Sequence, residues 1–435
     1  MLMLPKATYE GISFIDALFT STSAVCVTGL IVVDTGSYFT HFGQSIIIVL
    51  IQIGGLGIMT FASYFSYFFR GRTSYENQLV LSDMTNSEKL GEVFTTLKKI
   101  LLVTFYIELT GAVALFFSLP EEMRSNFSWA SFFTIFHAIS AFCNAGFSTM
   151  SNSLFDDGFK FNYGFQLIII GLFVFGGMGF PIIFNIYQVF KTFLKRRIHP
   201  LLNRERPLYT PWILNLNTRI ILITTISLTL IGTILFYFIE YDNTLSEHGP
   251  LGKMVTALFG AATPRTAGFN SVDMAALKFP TLMLTFLLMW IGASPGSTGG
   301  GIKTSTFAIA ILNFLSLARG KERIEVFRRE IAAISVRRAF AIISLSLIII
   351  SSGVVAVSMF NPEMDLLHVA FECFSAYSTV GLSLGITGDF SVGSKWVIIL
   401  VMFIGRVSML SILIALLPKV KYKNYQYPTE EILIN

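Results

Sequence analysis

Residues 220–239 and 339–359 each form a run of mostly apolar side chains without a single charge. A run of about 20 such residues is long enough, as a helix, to cross a hydrocarbon core of about 30 Å. Composition supports the same reading, because 53% of the chain is apolar and only 13% is charged. A soluble domain carries about a quarter charged residues. The sequence therefore describes an all-α polytopic membrane protein.

The start, "MLMLPKATYEG", lacks the apolar core and small-residue cleavage site of a signal peptide. Cys26, Cys143 and Cys373 form no CxxC pair, and the five histidines are scattered, so neither a disulfide framework nor a zinc site is expected. The net charge of +5 is explained by its placement. Most Lys and Arg residues fall in 70–99, 191–219, 319–338 and 419–423, whereas the intervening connections carry Glu121, Glu122, Asp156, Asp157, Glu240, Asp242, Glu247, Glu363 and Asp365. The positive-inside rule puts the basic set, with the C-terminus, in the cytoplasm of a multi-pass cell-membrane protein. The basic balance reports topology and implies no nucleic acid.

Four stretches resemble one another: "STSAVCVTGL", "AISAFCNAGF", "GAATPRTAGF" and "FSAYSTVGL". Their glycines, Gly29, Gly146, Gly268 and Gly381, recur at intervals of 117, 122 and 113 residues. Each follows a short apolar segment (14–24, 129–141, 251–262 and 366–376) that is too short to span and reads as a re-entrant helix. Each precedes a long apolar segment with a glycine at a matching offset, namely Gly54, Gly176, Gly292 and Gly405. Units two to four also begin with a full-length apolar segment (100–119, 220–238 and 339–359).

The expected repeat is outer helix, pore helix, filter loop, inner helix. It occurs four times in parallel around a pseudo-fourfold pore, because both long helices of each unit end on the basic side. The units are expected at 1–70, 95–200, 215–320 and 335–418, with a cytoplasmic tail at 419–435. "MLMLP" aligns with "FFSLP" at 116–120, so the first outer helix is largely missing and seven full spans are expected. A truncated or misplaced start is the expected reason. A natural seven-span chain would expose one side of the first re-entrant helix to lipid.

Four re-entrant helices aimed at one axis would direct their negative carboxyl ends there. Each continues into a triplet that ends in glycine: Val27, Thr28, Gly29; Asn144, Ala145, Gly146; Thr266, Ala267, Gly268; Thr379, Val380, Gly381. Non-helical backbone at membrane depth survives where it is buried or lines a watery path, and carbonyl rings can replace a cation's hydration shell. The triplets read as a cation filter.

These motifs, with "TVGL", the "GIK" after the Gly-rich break, "FIDALFTSTSAVCVTGL", "FHAISAFCNAGFS", "TPRTAGFNS" and "MFIGR", resemble the potassium-translocating membrane subunits of the Trk/Ktr/HKT superfamily, most closely the Ktr type. The resemblance covers nearly the whole chain. It implies K⁺ uptake through a channel-like subunit with K⁺ at the filter carbonyls. It also implies a homodimer bound to a cytoplasmic ring of nucleotide-binding regulatory subunits of the RCK/KTN type, sodium as an activating ion, and no organic cofactor. Each loop keeps one recurring glycine, so a less sharp discrimination between K⁺ and Na⁺ is expected than in channels carrying "TVGYG".

Arg406 lies inside the last apolar segment, 396–417, where a charge costs about 2.5–3.5 kcal/mol on insertion scales. It reads as a barrier below the filter, as the resemblance implies, or as a structural arginine tied to backbone carbonyls. Glu108 reads as a structural group, neutral or paired. Glu372 either adds negative potential at the outer mouth or lies on a helix surface.

The stretch "WIGASPGSTGGGIKTSTF" breaks the third inner segment. A phosphate loop is excluded, because Ile302 separates Gly301 from Lys303 and no strand precedes it. Pro295 removes a backbone donor, and the Gly/Ser/Thr content disfavours helix. The sister segments "IGGLGIMTF", "FGGMGFPII" and "FIGRVSML" carry no such insertion, so only the third inner helix is expected to be broken. By the resemblance, Ala293, Ser294, Pro295, Gly296, Ser297, Thr298, Gly299, Gly300, Gly301 and Lys303 form an intramembrane gate together with Arg406. Lys303 is either a second barrier or an anchor of the loop. The segment 319–338 has helical charge spacing and reads either as a solvated face or as a docking surface. A Na⁺- or H⁺-coupled secondary transporter is the alternative to a channel-like subunit. An enzyme lacks support, since no nucleophile–base pair or buried acid cluster is evident.

Overall fold

The computed structural model describes residues 1–57, 93–202 and 214–407, with side chains placed outside 93–97 and 195–202. Expectations for 58–92, 203–213 and 408–435, including the C-terminal tail and the end of the last segment, lie outside the described residues. Among the described residues the chain is helical apart from one small hairpin. Its helices are α1 Phe14–Cys26, α2 His41–Gly55, α3 Val93–Ser118, α4 Glu121–Arg124, α5 Phe127–Phe142, α6 Tyr163–Met178, α7 Phe180–Leu202, α8 Leu216–Glu240, α9 Pro250–Ala262, α10 Phe279–Trp290, α11 Thr304–Ala318, α12 Ala333–Phe360, α13 Leu366–Ser378 and α14 Val392–Val407.

Local sequence sets several of the helix boundaries. Ser13, Asn126 and Asp365 cap the starts of the short helices α1, α5 and α13 by accepting from backbone amides. Pro250 opens α9 at the first turn, where its missing N–H costs nothing. The helices α1 and α13 end on left-handed residues, Val27 and Thr379.

Packing closes a cycle. The helix that follows each short helix packs on the next short helix in chain order: α2 on α5, α6 on α9, α10 on α13, and α14 back on α1. The long helices α3, α8 and α12 each lie against the short helix of their own unit, α5, α9 and α13. They turn large apolar residues outward, among them Phe105, Phe117, Ile226, Phe238, Ile348 and Met359. Exposed apolar side chains surround a centre rich in buried Ser and Thr, which is the arrangement of a body solvated by lipid.

Among the described residues, 98–118, 216–240 and 333–360 are long and apolar enough to cross a membrane. The helix α6 with the first part of α7 is a pair bent by 103° that has the length and composition of a fourth span when taken as one. That bend corrects the expectation that only the third inner helix is broken. At Gly179 φ is +86°, and a Cβ there would lie 2.6 Å from the Pro295 carbonyl oxygen. The second inner helix therefore turns away where the Gly-rich loop lies against it. The third inner segment is divided into α10 and α11, as expected. The segment 319–338 also departs from its helical reading. Glu325–Val326 pairs antiparallel with Arg329–Glu330, and Phe327 and Arg328 form the turn with positive φ.

Candidate functional site

Each of the four triplets follows a short helix and has the same backbone. Val27, Asn144, Thr266 and Thr379 have φ of 57°, 60°, 72° and 50°, and Gly29, Gly146, Gly268 and Gly381 have φ of 92°, 69°, 80° and 88°. The intervening Thr28, Ala145, Ala267 and Val380 are not in the left-handed region. The hand of the backbone thus alternates along every triplet.

The amides of these triplets are drawn back to their own helices. Thr28 N and Gly29 N donate to the carbonyl and the hydroxyl of Ser23 at 2.8 and 3.1 Å. Val380 N and Gly381 N do the same at Ser375, at 2.9 and 3.0 Å. Ala145 N donates to Ser140 O at 2.8 Å, and the Ser140 hydroxyl donates to Phe147 O at 2.7 Å. In the third unit Thr263 takes this part, with its carbonyl accepting from Ala267 N and its hydroxyl donating to Phe269 O. Among the described residues, none of the hydrogen bonds ends on a triplet carbonyl. Ser23, Ser140, Thr263 and Ser375 were missed in the sequence, although a hydroxyl five or six residues before each glycine was there to be read.

The glycines abut in cyclic order. A Cβ on Gly29 would lie 2.4 Å from Ala145 O, one on Gly146 2.9 Å from Gly268 Cα, one on Gly268 2.2 Å from Val380 O, and one on Gly381 2.1 Å from Thr28 O. No side chain fits at any of the four contacts. All four glycines line one cavity of about 350 Å³, together with the residues that follow them.

The glycines at matched offsets now have a cause. A Cβ on Gly54, Gly176 or Gly405 would come within 2.0, 1.8 and 1.9 Å of the carbonyl oxygens of Val25, Phe142 and Tyr377, four residues before each triplet glycine. Gly292 does not repeat the contact. It faces Gly300 O of the Gly-rich loop instead.

That loop crosses beneath the triplets, on the side away from the cavity. Its ends meet in a bridge between Ile291 and Ile302. Ser294 N donates to Gly177 O at 3.0 Å, Thr298 N to Gly176 O at 3.3 Å, and Phe180 N to Gly296 O at 3.0 Å. Gly300 N donates to Thr379 Oγ1 at 2.9 Å. Asn144 joins two loops, its amide nitrogen donating to Thr298 Oγ1 (3.0 Å) and its oxygen accepting from Thr266 Oγ1 (3.2 Å). Ser297 donates back to Ser294 O at 2.6 Å. Gly299 and Gly301 pack against Thr266 and Ser378, while Ala293 is buried. Lys303 donates to Gly299 O (2.7 Å) and Gly300 O (3.4 Å), so it ties down its own loop. Arg406 donates to the carbonyls of Thr298 and Gly54, joining the last helix, the loop and α2.

The two glutamates singled out in the sequence, Glu108 and Glu372, are buried and find partners. Glu108 accepts from Gln52 Nε2 at 3.2 Å and lies 3.8 Å from the Cys143 thiol. Glu372 is fully buried, which excludes a helix-surface position; it accepts from Ser383 and Thr387 in the segment after the fourth triplet. Among the described residues no group of His, Cys, Asp or Glu is arranged to hold a metal ion.

Fold and site together define a helical membrane protein organised around four converging helix-and-loop segments. The family model described as TrkH, cation transport protein, matches residues 4–425. The chain belongs to this family of cation transport proteins. It is 36% identical over 438 residues to the Ktr system potassium uptake protein B of Bacillus subtilis (strain 168), covering 99% of this chain and 92% of that one. It is also 36% identical over 447 residues to the potassium/sodium uptake protein NtpJ of Enterococcus hirae, covering 100% of this chain and 93% of the relative. The crystal structure of the potassium transporter TrkH from Vibrio parahaemolyticus shares the fold, with a TM-score of 0.70 at 21% identity over 94% of this chain and 79% of that one.

Proposed function

We propose that the chain takes up K⁺ as the channel-like translocating subunit of its system, with the ion passing along the axis where the four triplets meet. The observation that carries this reading is the closed ring of Gly29, Gly146, Gly268 and Gly381 over one cavity. In backbone of alternating hand, successive N–H groups converge on one side. Here most of those groups, though not Gly146 N, are held by Ser23, Ser140, Thr263 and Ser375, which leaves the carbonyls for the axis. Carbonyl rings replace the hydration of a dehydrated cation, and the carboxyl ends of α1, α5, α9 and α13 add negative potential. The four units at 1–70, 95–200, 215–320 and 335–418 supply one triplet each.

The loop from Ala293 to Gly301, with Lys303, is the gate in this reading. Its contacts with Asn144, Thr266 and Thr379 support that role, and Arg406 holds it across the path. The basic segments face the cytoplasm. A homodimer, a nucleotide-binding cytoplasmic ring and an activating Na⁺ complete the assembly. The names of the two relatives, both potassium uptake proteins and one also a sodium uptake protein, support the choice of ions. Purified protein in liposomes tests the reading: passive K⁺ and Rb⁺ flux exceeding Na⁺ flux is the expected result. Flux that demands a co-transported ion would make the chain a secondary transporter instead.

A further inference from the structure

A second cavity, of about 560 Å³, lies between α6, α8 and α9. We infer that it binds a long-chain fatty acid, with the carboxyl group at Arg265 and the chain along the apolar wall. Its volume falls within the range of about 300–1,000 Å³ usual for small-molecule sites. The outer rim carries Leu167, Ile226, Leu230 and Met254, which are 46%, 63%, 58% and 64% exposed, so it opens where lipid solvates the protein.

One charged group, Arg265, lines this mostly apolar space, beside Thr225, Thr229 and Thr233. Its guanidinium reaches Thr225 O and Thr229 Oγ1 at 3.3 Å and Thr225 Oγ1 at 3.4 Å, all neutral acceptors. Its Nε–H has no acceptor among the described residues. A cation at membrane depth is costly without a counter-charge, and the guanidinium fork matches a carboxylate. Thr225 and Thr229 stand near the middle of α8, roughly 14–20 Å from Leu216 at 1.5 Å per residue. A phosphate headgroup held at the membrane surface does not reach that depth, whereas a slender acid does. The inner wall includes Gly177 and Ala293, so the occupant would touch the broken second inner helix and the Gly-rich loop. This binding does not depend on the ion-transport reading.

The test is photolabelling of the full chain in liposomes with a diazirine-bearing palmitic acid, followed by peptide mapping. Label is expected in 167–178 and 225–233, displaced by excess palmitic acid and not by methyl palmitate. Val255→Phe, which fills the cavity, should lower labelling by about tenfold. Arg265→Lys should keep the preference for the acid over the ester, and Arg265→Gln should lose it. Should Arg265→Gln fail to fold, Val255→Phe and Arg265→Lys carry the test. Even labelling over the lipid-facing helices would overturn the proposal. So would equal competition by the ester, or displacement of the acid by a phosphatidylglycerol probe that labels the same peptides.

Discussion

The guanidinium of Arg406 donates to the carbonyl oxygen of Thr298, which fastens the last described helix to the loop between α10 and α11. Its second donation, to Gly54 O, brings in α2. One side chain thus holds three parts of the site that are far apart in sequence. These contacts match the reading of Arg406 as an arginine tied to backbone carbonyls; the barrier role belongs to the proposed function.

Releasing that hold should favour an open loop. A hydrogen bond to a charged group contributes about 1.5–3 kcal/mol. Arg406→Gln should therefore raise the open-to-closed ratio by roughly 10- to 100-fold. The measurement is K⁺ efflux from liposomes holding variant protein that elutes as a single species in gel filtration. Lower flux from such a folded variant would assign Arg406 to structure alone.

The inner-helix glycines predict a contrast within α6. A Cβ on Gly176 would lie 1.8 Å from Phe142 O, backbone that cannot move alone, whereas Gly171 has nothing within 4 Å. Gly176→Ala should cost about 1–3 kcal/mol or more from overpacking. Gly171→Ala should be neutral or stabilising by up to about 1 kcal/mol. Thermal melting of the two variants in detergent decides, and equal loss in both would contradict the close approach.

Ser375 holds the Gly381 amide through its hydroxyl. Ser375→Ala removes a hydrogen bond that contributes about 0.5–1.5 kcal/mol. The expected consequence is a fall of roughly 2- to 10-fold in the K⁺ over Na⁺ flux ratio, with total flux largely kept. Electrical recording under mixed-ion gradients measures it, and an unchanged ratio would remove Ser375 from the ion path.

How much of this was legible in the sequence depends on the range of the contacts involved. The short helices, the triplets and the break before Lys303 were all readable, because apolar length, glycine spacing and a Pro/Gly cluster are local signals. The bend at Gly179 was hidden, since the sequence "FGGMGFPII" gives no sign that Pro295 O would press against it. The partners of Glu108 and Glu372 lay on other elements, beyond the reach of any periodicity. The hairpin at 325–330 was misread because alternating charges suit a helix as well as a tight turn with two positive-φ residues. Arg265 was passed over because its interest lies in a cavity, which only packing creates.

Outside the spans, the connection after α8 carries a pH dependence. His248 is buried, its Nδ1 lies 3.0 Å from the Tyr163 hydroxyl, and burial with the nearby Lys160 charge holds its pKa below the ordinary value. The folded state therefore prefers the neutral ring. This stability is whole above the usual histidine pKa of about 6.5 and is lost as pH falls from there through the lower folded value. Melting temperatures of the parent chain should drop between pH 7.5 and 5, and His248→Gln should flatten that drop. An identical pH profile in the variant would contradict the assignment.

The ring of glycines is the centre of the account, and replacing its members one at a time tests it most directly. Gly29, Gly146, Gly268 and Gly381 are each changed to Ser, and K⁺, Rb⁺ and Na⁺ fluxes are compared in liposomes. A side chain at these positive-φ positions, pressed against the neighbouring loop, should displace the carbonyls and raise Na⁺ permeation relative to K⁺ in every folded variant. Selectivity unchanged in all four would mean that the ions do not pass along this axis.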